Sequence, residues 1–329
     1  MKISIRLTAV GPRLLLSSFF KHFSLPRDHL QPNYAPYAAL LGVQVFFGSL
    51  PAVGKLVLAV MPAVALVGFR VGIAAVVLIV IQLVRGRVWL KDKSDYWRLA
   101  VLSLFGVTFN QLLFITGLSL TKAVNTSLLA VTIPIFTLAI GALLGTEKLT
   151  GRKVFGIILA AVGVILIIDP RRASFGSESV VGDLLIVINS LSYGIYVATS
   201  KTVLTRNGAF RSMMWIFIFA AVICVPLGLY SFSQSPVEAV EPFTWLLVLH
   251  IGLLATAAPY LLNAWALARV KASTVAVFVY LQPLIGFFLA VAYLNEQIAL
   301  SFILAAAMIF VGVFLVSRRG HAANLREAG

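Results

Sequence analysis

The residues of this chain that could do chemistry are polar groups set at helical spacing inside long apolar runs. Thr256, Tyr260 and Asn263 stand at i, i+4 and i+7, which is one stripe of a helix. Ser103, Gly106, Asn110, Phe114 and Gly117 form a second stripe, Asn189, Tyr193 and Tyr196 a third, and Asn125 with Thr132 a fourth. Tyr280 and Gln282 lie just before Pro283, whose ring removes a backbone donor and frees a carbonyl one turn earlier. Such a position can offer both side chain and backbone to a ligand. Arg70 is the one charge well inside an apolar run. It could pair with a carboxylate or phosphate of a bound solute, or it could snorkel to an interface or bind a backbone carbonyl. Polar groups at this depth are costly and by default mark a pathway. Each also admits a structural role, as an interhelical hydrogen bond worth about 0.6–2 kcal/mol. Several stripes bordering one cavity favour solute contact for the set.

What is absent narrows the chemistry. No Asp or Glu lies in the middle of an apolar run, so an embedded carboxylate that binds cationic drugs and exchanges them for protons is not available. A neutral, zwitterionic or anionic solute is favoured, and downhill movement over proton exchange. The chain has no HExxH, no GxSxG, no phosphate-cradling glycine loop and no Cys/His cluster. No enzyme, cofactor or metal site is expected. The single cysteine, Cys224, lies in an apolar run and cannot form an intrachain disulfide.

The elements that must position these groups follow from composition. Of 329 residues, 60% are hydrophobic and 11% charged, and the mean hydropathy is +1.01. A soluble domain carries about 25% charged residues, so this is a polytopic membrane protein. The formal charge of +15 does not indicate nucleic acid, because the basic residues sit between apolar runs as loops do. The expected partners are the lipid bilayer and a small-molecule substrate, with no nucleic acid; a homodimer stays open.

Ten segments are long enough for about 30 Å of hydrocarbon. They fall near 37–58, 62–84, 97–118, 122–144, 150–168, 182–203, 212–232, 243–267, 272–294 and 297–317. Strand alternation is lacking, and only helices or closed barrels satisfy the backbone in lipid. Residues 1–36 read as a cytoplasmic tail or as the product of an upstream start codon, with an Arg-rich targeting segment as the alternative. Residues 318–329 read as a second tail.

A repeat organises these spans. Residues 121–167 return at 270–316 with every landmark moved by 149: Lys122 and Ala123 match Lys271 and Ala272, Pro134 matches Pro283, Glu147 matches Glu296, and Gly163 matches Gly312. Gly48 and Lys55 match Gly194 and Lys201 at a shift of 146. The halves are therefore 37–168 and 182–317. Five helices per half is an odd number, which predicts an all-α integral membrane protein of ten transmembrane helices in two inverted five-helix repeats, with a site near the midplane between them. Pro134 and Pro283 are the expected hinges. At the positions matching Tyr280 and Gln282 stand Val131 and Ile133, so the ninth helix should contribute more to solute contact than the fourth. Glu147 and Glu296 should each accept from free N–H groups at the start of the helix that follows.

Basic residues set the orientation. With the N-terminus inside, the cytoplasmic segments collect the tail, 85–98, Lys148, Arg152, Lys153, Lys201, Arg206, Arg211, Arg269, Lys271 and the C-terminal arginines, while the other side keeps Lys55, Lys122, Arg171 and Arg172. Both termini should be cytoplasmic.

The duplicated layout, LTKA and RVKA before the fourth and ninth helices, Pro134 and Pro283, the turns GTEKLT and LNEQIA, and Gly163 and Gly312 resemble the EamA-type branch of the drug/metabolite transporter superfamily. The resemblance covers about residues 37–317 and is nearly all scaffold. It implies a secondary transporter, often an exporter of amino acids or other small metabolites, working by alternating access in the bacterial inner membrane. Two alternatives stay open: a transporter of anionic, nucleotide-sugar-like metabolites with Arg70 and Lys55 as ligands, and a non-transporting scaffold associating through Gly68 to Gly72 and Gly141 to Gly145.

Overall fold

The structure, a computed structural model, describes residues 34–121, 125–126, 129–168, 179–235, 240–282, 284–285 and 300–317. The expectations for Lys122, Ala123, Pro283 and Glu296, for residues 1–33 and 318–329 of the tails, and for 169–178 of the link between halves lie outside these residues.

The described residues are helical. The long helices are α1 (Ala35–Leu58), α2 (Ala63–Arg85), α3 (Ser94–Leu120), α4 (Thr132–Leu143), α5 (Gly151–Ile168), α6 (Val180–Thr199), α7 (Ala209–Ser233), α8 (Pro242–Leu267), α9 (Ala272–Leu281) and α10 (Leu300–Ser317), with a short helix over Lys201–Asn207 between α6 and α7. Their ends follow local chemistry. Pro36 and Pro242 stand in first turns, where a missing N–H is no loss. Gly86, Gly145 and Gly208, with φ of 69°, 68° and 83°, take the left-handed conformation that lets the chain turn at helix ends.

Six helices, α1, α2, α3, α6, α7 and α8, are long and apolar enough to cross a bilayer, while Thr132–Leu143, Ala272–Leu281 and Ile303–Ser317 are shorter apolar helices. The break expected at the proline of the fourth segment is present, and the backbone gives the reason. Pro134 cannot donate to Ala130, which instead accepts from Ile133 at 3.1 Å, and the chain turns at Ala130–Val131 before α4 begins. α9 likewise tightens into a 3₁₀ turn over Phe278–Leu281 just before Pro283. Along the outer faces, Leu41, Val45, Val76, Val80, Ile158, Leu166, Leu304 and Phe310 are exposed. Apolar surface this continuous needs a hydrocarbon solvent.

The helices pack in pairs: α2 on α7, α5 on α10, α3 on α6, α1 on α8, and α4 on both α6 and α9. Glycine permits the closest crossings. A Cβ on Gly68 would sit 2.7 Å from the Gly228 Cα, and one on Gly156 would sit 2.9 Å from the Gly312 carbonyl oxygen. The glycines of α2 offered above as an association face are thus occupied inside the molecule. Gly141, in turn, has the side chain of Glu147 at 3.4 Å.

The shift of 149 reappears in three dimensions. α3 and α8 each contain one π turn, at Leu104–Thr108 and Leu253–Ala257. Lys55 Nζ donates to the Thr121 carbonyl at 2.8 Å and Lys201 Nζ to the Val270 carbonyl at 2.7 Å, each beyond the C-terminus of the corresponding helix, α3 or α8. A lysine in that position complements the negative end of the helix dipole. Glu147 departs from expectation. Its Oε1 accepts from the Ser273 N–H at 2.7 Å and its Oε2 from the Ser273 hydroxyl at 2.6 Å, while Lys153 pairs with it. The carboxylate therefore caps α9 of the other half rather than α5, the helix that follows it. The reason is that α9 brings an unpaired first-turn donor against the turn.

Candidate functional site

A cavity of about 100 Å³ lies between the halves, walled by α1, α3, α6, α8, α9 and the residues Thr126, Ala130 and Ile133, with Arg70 contributed by α2. Arg70, Asn110, Asn189, Tyr193, Tyr260, Asn263 and Gln282 all line it. Asn125 and Tyr280 do not. The Asn125 amide donates to both Asp183 oxygens, at 3.0 and 3.2 Å, because the first turn of α6 places that carboxylate beside it. Its neighbour Thr126 lines the cavity instead. The Tyr280 hydroxyl donates to the Val131 carbonyl at 2.8 Å, in the turn that Pro134 opens. Pro134 is buried in the first turn of α4.

The stripes are only partly cavity wall, because a π turn rotates the residues on either side of it out of a straight 3.6 period. In α3, Asn110 and Phe114 face the cavity, whereas a Cβ on Gly106 would meet the Tyr196 ring and one on Gly117 would meet Gly182 and Ile186 of α6. In α8, Tyr260 and Asn263 line the cavity, while Thr256 lies in the π turn and serves Arg70.

The polar groups are tied mostly across the halves. The Asn110 amide donates to Asn189 at 2.7 Å, the Tyr260 hydroxyl to Asn110 at 2.6 Å, and the Gln111 amide to Tyr260 at 2.9 Å. The Gln282 amide donates to Gln44 at 2.9 Å, and within the second half the Asn263 amide donates to the Tyr193 hydroxyl at 2.6 Å. Gln44, Gln111 and Thr126 were not singled out in the sequence. Gln111 was findable, being the match of Tyr260 at the 149 shift, and Gln44 is an amide inside the apolar run of α1.

Arg70 is 1% exposed. Its Nε donates to Thr256 Oγ1 at 2.9 Å and its Nη2 to the Ala255 carbonyl at 3.0 Å. Both partners lie in the π turn of α8, where the wider turn leaves a carbonyl for an outside donor. Its Nη1 is buried without a hydrogen-bond partner among the described residues. A desolvated guanidinium with an unused donor is an unsatisfied charge, and an oxyanion satisfies it best.

The walls are related by the repeat. At the 146 shift Val43 matches Asn189 and Phe47 matches Tyr193; at 149 Gln111 matches Tyr260, Phe114 matches Asn263, Thr126 matches Val275, Ala130 matches Val279 and Ile133 matches Gln282, and all fourteen line the cavity. In four of these pairs the first half supplies Val43, Phe47, Phe114 or Ile133, and the second supplies Asn189, Tyr193, Asn263 or Gln282. At these four pairs the second half is the polar member, but both walls are mixed, since the first half also brings Gln44, Arg70, Asn110, Gln111 and Thr126 and the second Ile186, Val275 and Val279.

The model of the EamA-like transporter family matches residues 35–169 and again 180–318. The chain belongs to the EamA-like transporter family. As an EamA-like protein it is a multi-pass membrane transporter of the drug/metabolite transporter superfamily, acting on a small molecule. It is 27% identical over 229 residues to an uncharacterized transporter of Archaeoglobus fulgidus, covering 69% of this chain and 78% of the relative. It is 26% identical over 258 residues to the uncharacterized transporter YoaV of Bacillus subtilis, covering 77% and 87%. A solved crystal structure matches with a TM-score of 0.70 at 18% identity, covering 88% of this EamA-like chain and all of the other, which is a likeness of fold.

Proposed function

We propose that this chain is a secondary transporter of ten transmembrane helices in two inverted five-helix repeats. It exports a small amphipathic metabolite bearing a carboxylate, such as an amino acid, across the bacterial inner membrane by alternating access. The observation that carries this is the cavity itself, walled by equivalent positions of both halves. Inversion is supported by reciprocal contacts. Gly156 meets Gly312 while Gly163 meets Ala305, and adding 149 to the first-half member of each pair gives the second-half member of the other. The turns before Pro134 and Pro283 are the points at which α4 and α9 would flex. The basic loops support cytoplasmic termini.

Arg70 and the mixed polar and apolar lining define the cargo. The guanidinium takes the carboxylate, the amides and phenols of both halves take the remaining polar groups, and Val43, Phe47, Phe114 and Ile133 take an apolar side chain. A cavity this small lies well under the roughly 300–1,000 Å³ of drug-sized sites, which disfavours a nucleotide sugar, and Lys55 is committed to the Thr121 carbonyl. The absence of a mid-span carboxylate in the sequence favours downhill movement, and the chain is not read as an enzyme.

The test is thermal stabilisation of the purified protein followed by flux in liposomes. A ligand at 100 times its Kd stabilises by about 2.7 kcal/mol. Apolar amino acids should raise the melting temperature and cross liposomes containing the protein. Stabilisation confined to nucleotide sugars, or no solute flux at all, sinks the assignment.

A further inference from the structure

A second cleft, of about 570 Å³, opens at the end of the molecule where α2 and α8 finish and α7 begins. Its walls carry four arginines, Arg85, Arg87, Arg211 and Arg269, and no carboxylate among the described residues. The nearby acid is already engaged, since Asp95 pairs with Arg206 and accepts from Asn207 at 2.6 Å. Two of the guanidiniums are held in place by rings: Arg85 lies 4.0 Å over Phe210, and Arg269 lies 4.0 Å over Trp265. The Arg211 Nε is buried without a hydrogen-bond partner among the described residues. Arg87 is the one non-glycine residue with positive φ (55°) among the described residues, and Gln82 braces that turn by donating to the Gly86 carbonyl at 2.8 Å. The first turn of α7, with its unpaired N–H groups, forms part of the same wall.

Four like charges converging on one cleft need an anion, and guanidiniums in forked geometry fit phosphate best. The level of the cleft points to the source. Trp89 and Trp97, in and just after the loop that leaves Arg87, are 73% and 74% exposed, as side chains at the headgroup layer are. Basic pockets between transmembrane helices at that layer suit acidic lipid headgroups. We infer that this cleft binds the headgroup phosphate of an anionic phospholipid. Because Arg85 and Arg87 belong to the first half and Arg211 and Arg269 to the second, the bound phosphate bridges the halves and resists their separation at this end. The site is independent of the cargo assignment.

The experiment compares melting temperatures of the full chain in phosphatidylcholine nanodiscs, in nanodiscs containing phosphatidylglycerol, and in phosphatidylcholine with inorganic phosphate added. Phosphatidylglycerol should raise the melting temperature of the wild type. The combined Arg211→Gln and Arg269→Gln variant should lose that increment and bind the lipid roughly tenfold more weakly. A variant with Lys93→Gln and Lys148→Gln, which removes two exposed charges outside the cleft, should keep it, as should Arg70→Met. Equal increments in all these proteins, or none in the wild type, overturn the site. An increment reproduced by inorganic phosphate alone overturns the lipid source in favour of a soluble phosphate compound. Should the double-arginine variant not fold, lipid counting by native mass spectrometry on the wild type and on the exposed Arg87→Gln variant decides the matter: one retained lipid must be lost in the variant.

Discussion

The crossing of α5 and α10 and the centre of the molecule are built by the same repeat and differ in what they kept. At the crossing, equivalent positions retain small residues, Gly163 with Gly312 and Gly156 with Ala305, because backbone meets backbone there. At the centre, equivalent positions also touch, but as different residues: Gln111 donates to Tyr260, and Tyr280 to the Val131 carbonyl. Packing geometry constrains the first region, and only solute contact and polar pairing constrain the second. Duplication therefore supplied a symmetric frame, and the cavity is where the two copies diverged, four matched pairs being apolar in the first half and polar in the second.

The largest effect should come from filling the crossing. A Cβ on Gly312 would lie 2.5 Å from the Gly156 carbonyl oxygen and 2.7 Å from the Ala160 Cβ, contacts that no side-chain rotation relieves. Gly312→Leu should cost about 3 kcal/mol and depress the melting temperature with or without cargo. A variant that melts like wild type would show that the halves are not locked there.

Arg70→Met should do the reverse. Removing a desolvated charge offsets the loss of a partner for the Ala255 carbonyl, so stability should stay within about 1 kcal/mol of wild type. Flux and cargo-dependent stabilisation should disappear. A strongly destabilised protein whose surviving fraction still transports would make Arg70 a brace between α2 and α8.

The frame was legible in the sequence because it is written as repetition. The offset of 149 reappears as the matched π turns of α3 and α8, and the paired lysines Lys55 and Lys201 as matched caps. The wall of the cavity was legible only in part, since seven of the nine polar candidates line it while Asn125 and Tyr280 turn elsewhere. Two things hid the rest. The π turns of α3 and α8 take Gly106 and Thr256 out of the period on which a stripe is counted, and Asp183 takes Asn125 while its neighbour Thr126 lines the cavity. Glu147 was misassigned because helix caps are local in sequence by habit, whereas this one is satisfied by Ser273 across the halves. Asp183, which claims Asn125, carries no signal in sequence spacing.

A smaller effect tests the asymmetry of the walls. Asn263→Ala and Gln282→Ala should each cost about 1 kcal/mol of stability and lower flux several-fold, by about the effect of one lost hydrogen bond. Their first-half matches, in Phe114→Leu and Ile133→Val, should alter selectivity among apolar side chains while leaving flux of the preferred solute near wild type. Equal losses from both walls would mean that the cargo does not distinguish them.

The smallest effect concerns the cap that joins the halves, and it appears only in acid. Burial by itself would raise the Glu147 carboxyl, but Lys153 and the Ser273 hydroxyl and N–H outweigh it and hold the group below the ordinary glutamate value of 4.5. A carboxyl depressed on folding contributes its stability in full above that ordinary value and loses it as pH falls through the lower folded value. Wild-type melting temperature should therefore fall more steeply below about pH 4.5 than that of Glu147→Gln, which cannot titrate and keeps an acceptor for Ser273. At neutral pH the variant should already sit at the lower stability, having lost the charge that pairs with Lys153. Parallel pH profiles for the two proteins would mean that the turn of the first half and α9 of the second are joined by packing alone.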